Sequence, residues 1–187
     1  EAQRVPEIFS YLQTQVDKTG DSGQYVLSGS QNFHLMKSIT QSLAGRCGIL
    51  KLMPFSIVEL KKSSLLNKNI DEQIFTGGYP RIYDKKIPAE RYFSDYFETY
   101  VQKDIQNLEN IVDLSLFTKF IKLCAGRIGQ LVNITSLAND CEISATTANR
   151  WLSLLEASFI IYKLKPDFRN FSKRLTKAPK IYFTDTG

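Results

Sequence analysis

The sequence predicts an α/β segment followed by a mostly α winged helix-turn-helix domain. Three observations carry this. Residues 1 to about 60 alternate helix-like and strand-like runs, the order of a parallel α/β layer. Within residues 114–165 lie three short amphipathic helices with matched apolar spacing. A β-like run, "FIIYKLK" (159–165), follows the third of them.

In the first half, Ile8, Phe9, Leu12 and Val16 fall at helical spacing after Pro6, and "TGDSG" (19–23) is a turn cluster. "YVLSGS" (25–30) reads as a short buried strand, "FHLMKSITQSL" (33–43) as a helix and "CGILKLMPF" (47–55) as a second strand. The glycines and prolines of "IFTGGYPRIYDKKIP" (74–88) mark a boundary. A long helix is expected over 89–108, with Tyr92, Phe93, Tyr96, Phe97, Tyr100 and Val101 as a core-packing stripe.

The second half is more regular. Phe117, Phe120, Ile121 and Cys124 recur at i, i+3, i+4, i+7; so do Ile134, Leu137, Ala138 and Cys141, and Ala148, Trp151, Leu152 and Leu155. "CEIS" (141–144) links the second and third helices tightly, with Ser144 as the N-cap. Helix, helix, tight turn, helix, strand is the order of a winged helix-turn-helix. With its apolar residues inward, the third helix turns Thr146, Asn149, Arg150 and Ser153 outward, and Asn and Arg can read base edges. The run that follows carries Lys163, Lys165, Arg169, Lys173, Arg174, Lys177 and Lys180 against one acid, Asp167, a charge pattern suited to phosphates. A module of this shape also serves as a protein contact or spacer, so double-stranded DNA, a protein partner and a second copy of the chain all stay open.

Composition narrows the class. The net charge is +5 and the pI about 9.0, mildly basic and compatible with nucleic acid. No run reaches the ~18–20 apolar residues of a membrane span, and no membrane partner is expected. Cys47, Cys124, Cys141 and the single His34 form no metal-ligand spacing. They read as reduced thiols and an incidental histidine in a cytoplasmic protein.

The segments "EAQRVPEIFSYLQTQVD", "YVLSGSQNFHLM", "SLAGRCGILKLMPFSIVEL", "FTGGYPRI" and "APKIYFTDTG", together with 99–164, occur in one order over essentially the whole chain. In this order the chain resembles the bacterial and archaeal AAA+-superfamily ATPases in which a P-loop domain precedes a winged-helix region and a nuclease-like domain. The resemblance implies the C-terminal part of an ATPase core over 1–62, a linker and helical connector over 63–112, a winged helix over 113–178 and the opening of a further domain over 179–187. Glu1 then matches the second acid of Walker B, which positions the attacking water. Ser28 or Ser30 would hold the sensor position beside the γ-phosphate, unless these small residues only make a tight turn. Arg46 would stabilise phosphoryl charge in its own subunit or a neighbour's, unless it pairs with a surface carboxylate. ATP and Mg²⁺ are implied for the longer protein. No GxxxxGK[ST] lies in this chain, so the stretch reads as a fragment expected to bind neither and to be inactive as an ATPase. A non-catalytic winged-helix adaptor is the alternative, and a sequence-specific transcription factor the weaker third. Asp185 alone is not assigned as a metal ligand. Related sequences often carry Gly where Glu142 stands, at a turn position that favours positive φ.

Overall fold

The structure, a computed structural model, describes residues 2–29, 39, 42–104, 113–167 and 177–187. The chain divides into two compact units, Glu1–Leu52 and Met53–Gly187.

In the first unit a 3₁₀ turn, Ala2–Arg4, leads through Pro6 into α1 (Glu7–Thr19). The helix buries Phe9 and half-buries Leu12 and Val16, the face its spacing predicts. Gly20 ends it at φ 69, and its N–H donates to the Val16 carbonyl at 2.9 Å. A left-handed terminus of this kind costs glycine nothing. The expected helix over 33–43 lies outside the described residues apart from Ile39, Ser42 and Leu43; Ile39 and Ser42 are helical, and Leu43 N–H donates to Ile39 O at 2.8 Å.

The two strands expected here are not formed. Residues 24–29 and 47–52 are irregular, with Val26 95%, Leu50 98% and Leu52 101% exposed. The physical reason is the ladder. An apolar run becomes a buried strand only when neighbouring strands satisfy its backbone and helices cover its faces. No partner strand stands among the described residues of this unit. Among the described residues the expected α/β layer thus gives way to mostly helical structure with one two-stranded sheet.

The second unit opens with four short helices: α2 (Ile57–Lys62), α3 (Ile70–Thr76), α4 (Pro80–Lys85) and α5 (Ala89–Tyr96). Each start has a local cause. Ser56 and Glu59 make a reciprocal capping box on α2, Asn69 Oδ1 accepts from Asp71 N–H at 2.8 Å on α3, and Pro80 opens α4 with φ already set. The chain continues from α5 at π-helical pitch over Phe97–Asp104. The rest of the expected long helix lies outside the described residues. Its aromatic stripe packs as expected: Tyr92, Tyr96 and Tyr100 stack in series, and Tyr79 and Tyr96 share a hydroxyl contact of 3.1 Å. Burial pushes the Tyr79 phenol up to about 12.

The larger core belongs to α6 (Leu114–Ala125), α7 (Ile134–Cys141) and α8 (Ala145–Ala157). Asp113, Asn133 and Ser144 cap them in turn, each accepting from a backbone N–H three residues on. Phe117, Phe120, Cys124, Leu137, Cys141, Ala148, Leu152 and Leu155 are all buried. Trp151 meets Phe117 and Phe120 edge-on, at 5.1 and 5.5 Å between ring centres. β1 (Ile161–Leu164) then pairs antiparallel with β2 (Lys180–Phe183), Tyr162 opposite Tyr182. Ile161 and Ile181 enter the helical core. On the far side of β2, Leu131 bridges Lys180, and Gly129 N–H donates to Ile181 O at 2.9 Å. The segment read as opening a further domain therefore supplies the second strand of this sheet.

Candidate nucleic-acid interface

The outward face of α8 follows from how the helix is held. Its inward residues Ala148, Trp151, Leu152 and Leu155 are buried, which fixes the rotation of the helix. Thr146, Asn149, Arg150 and Ser153 are consequently exposed together, spaced i, i+3, i+4, i+7 along one face. Asn149 Nδ2 donates to Ala145 O at 3.2 Å, steadying the amide on the helix. The first turn of α8 carries no acid, so the partial positive charge of the helix N-terminus is not offset there.

The turn between α7 and α8 places Glu142 at φ 59, a left-handed backbone that favours glycine. Lys119 Nζ lies 3.3 Å from Glu142 Oε1, and Arg127 pairs with Asp140. These pairs balance the two acids nearest the turn. Lys163 is taken out of the basic run by Glu156, at 2.9 Å. Lys165, Lys177 and Lys180 are exposed. Arg169, Lys173 and Arg174 lie outside the described residues.

The first unit holds the other predicted set. Glu1 and Ser30 lie outside the described residues. Ser28 is exposed, and its carbonyl accepts from Ala2 N–H at 2.9 Å. Arg46 grips Asp17 with both edges of its fork, Nε to Oδ1 at 2.6 Å and Nη2 to Oδ2 at 3.0 Å. That hydrogen bond holds the Asp17 carboxyl below its ordinary range and raises Arg46. The surface-carboxylate role thus occupies Arg46 here. Among the described residues no group of three His, Cys, Asp or Glu is placed to hold a metal ion. Of this set, the described residues place the Arg46 fork on Asp17 and leave Ser28 exposed.

Comparison with known families gives two matches. A domain of unknown function, DUF8612, matches residues 67–187. The chain belongs to that family. An AAA domain matches residues 1–61, so the N-terminal stretch ahead of the DUF8612 region is related to AAA-type ATPases. The chain is also similar to uncharacterized proteins of Mycobacterium bovis and Mycobacterium tuberculosis, 28% identical in each case over all of this chain and 42% of theirs. An uncharacterized protein of Haemophilus influenzae is 29% identical over 87% of this chain and 44% of its own length. The chain spans less than half the length of these relatives. No solved structure matches it. No described helix is long and apolar enough to cross a membrane.

Two features of the DUF8612 region escape sequence reading. Asp185 Oδ2 accepts from Gly78 N–H at 2.7 Å, across 107 positions. Tyr162 and Tyr182 stack on the outer face of the sheet. Period-two alternation turns Tyr162 outward, but its partner is set by a strand sixteen residues on, and no local signal marks it.

Proposed function

We propose that the DUF8612 region acts as a winged helix that lays α8 in the major groove of duplex DNA, within a longer AAA-type protein that hydrolyses ATP with Mg²⁺. The observation that carries the reading is the joint exposure of Thr146, Asn149, Arg150 and Ser153 on one face of α8, the first three of them in its N-terminal half. Base-reading helices of this kind use their N-terminal residues, and Arg and Asn are the side chains with bidentate base partners. The order of elements supports it as well: three helices, a hairpin of β1 and β2, and basic residues between its strands.

Fluorescence anisotropy with a labelled random duplex tests it. Arg150→Ala should weaken binding about tenfold or more. If Lys165, Lys177 and Lys180 alone meet phosphates, raising salt from about 50 to 200 mM should cost about 40-fold; with Arg169, Lys173 and Arg174 engaged too, about 2,000-fold. Absent or salt-insensitive binding would refute the reading in favour of a protein-contact role. Calorimetry with MgATP should give no specific heat on this stretch, and one-to-one binding would refute its assignment as a partial nucleotide site.

A further inference from the structure

The outer face of the sheet has a chemistry that α8 does not explain. In the register of β1 and β2, Tyr162 stands opposite Tyr182 and Leu164 opposite Lys180. Ile161 and Ile181, one residue out of step, point into the core, so these four share the other face. The tyrosine rings lie nearly parallel, 16° apart with centres at 5.4 Å. Tyr162 is 48% exposed and Leu164 52%. Lysines border this aromatic surface: Lys180 on the face, Lys165 just past the end of β1 and Lys177 just before β2, all exposed.

We infer that this face is a stacking platform for unpaired bases of nucleic acid, adjoining the duplex contact of α8. An aromatic ring accepts any base on its π-face, and nearby ammonium groups hold the phosphates between bases. An apolar face alone would suit a protein equally well. The three lysines make the nucleic acid the better match, because they gather positive charge at one end of the face, beside the paired rings, where a stacked strand's phosphates can be met. The module would then favour DNA in which duplex passes into single strand. This deepens the duplex reading above and rests on it for placement, but the platform binds single strands in its own right.

The test uses the 187-residue chain and three labelled probes in anisotropy: a blunt duplex, the same duplex with a ten-nucleotide tail, and the free single strand. The tailed duplex should bind about tenfold more tightly than the blunt one. Tyr162→Thr with Tyr182→Thr replaces the rings by β-branched residues that suit strands and should erase that preference while leaving blunt-duplex affinity unchanged. Arg150→Ala should do the converse. Thermal melting of the tyrosine variant checks that the sheet still forms; if it melts early, Tyr162→Thr alone, which leaves Tyr182 and every lysine in place, carries the test and should lower the preference. Equal binding of blunt and tailed probes by the unaltered chain would overturn the platform and leave the duplex reading standing. Binding of the single strand without the duplex would overturn the duplex reading and keep the platform. No binding to any probe would overturn both.

Discussion

Two residues show how single positions hold this chain in shape. Glu142 sits at φ 59 in the link between α7 and α8, where any Cβ meets the following carbonyl. Glycine there removes the clash but also loses the exposed pair with Lys119, worth about 0–1 kcal/mol. Relief of the left-handed strain is about 1 kcal/mol or more, so Glu142→Gly should leave stability level or raise it by up to about 1 kcal/mol in urea unfolding. A clear loss of stability would show that the turn is not left-handed. Gly77 is the opposite case. Its φ of 67 and ψ of −159 lie in a region open to glycine alone, and a Cβ would overlap Asp185 Oδ1. Gly77→Ala should therefore cost about 2 kcal/mol or more in the same experiment. The need at Glu142 was legible from the motif around it. The need at Gly77 was not, because Asp185 is distant in sequence and nothing local forecasts their meeting.

At the scale of elements, the helices that announce themselves locally are the ones the sequence gives away. The faces of α6, α7 and α8 follow from apolar spacing and their starts from Asp113, Asn133 and Ser144, so period and cap agree before any tertiary contact forms. The strands over 25–30 and 47–55 were misread because apolar runs state a wish for burial and not a partner. β1 was readable since its inner residue Ile161 falls on the core that α8 helps build. The capping box on α2 offers a test at this scale. Ser56 N–H and its hydroxyl both donate to Glu59 Oε2, at 2.8 and 2.7 Å, and hold that carboxyl below its ordinary value of 4.5. A depressed carboxyl contributes stability that is present above the unfolded value and is lost as pH falls through the folded one. A carbon-detected NMR titration should place the Glu59 midpoint below 4.5. Ser56→Ala removes one of the two donors and should move it upward; an unmoved midpoint would mean the backbone N–H does all the holding.

At the scale of the whole molecule, the three cysteines report on the two units separately. Cys47 is exposed in the first, whereas Cys124 and Cys141 are buried in the helical core of the second. Burial also pushes the Cys124 thiol up to about 12, so in the closed core it stays protonated and is not the reactive thiolate. A disulfide-exchange reagent at mildly alkaline pH should therefore label one thiol fast and two slowly. The slow pair can react only when α6, α7 and α8 open, and their rate then follows the population of the opened state. Phe120 is wholly buried against Trp151, and truncating such a side chain costs about 3–5 kcal/mol. Phe120→Ala should thus speed labelling of Cys124 and Cys141 about a hundredfold or more, while Cys47 keeps its rate. That split is what an opening confined to the helical core requires, because Cys47 is exposed before any opening and serves as the internal reference. Equal acceleration of all three thiols would instead mean that the rate follows the reagent and not the opening of that core.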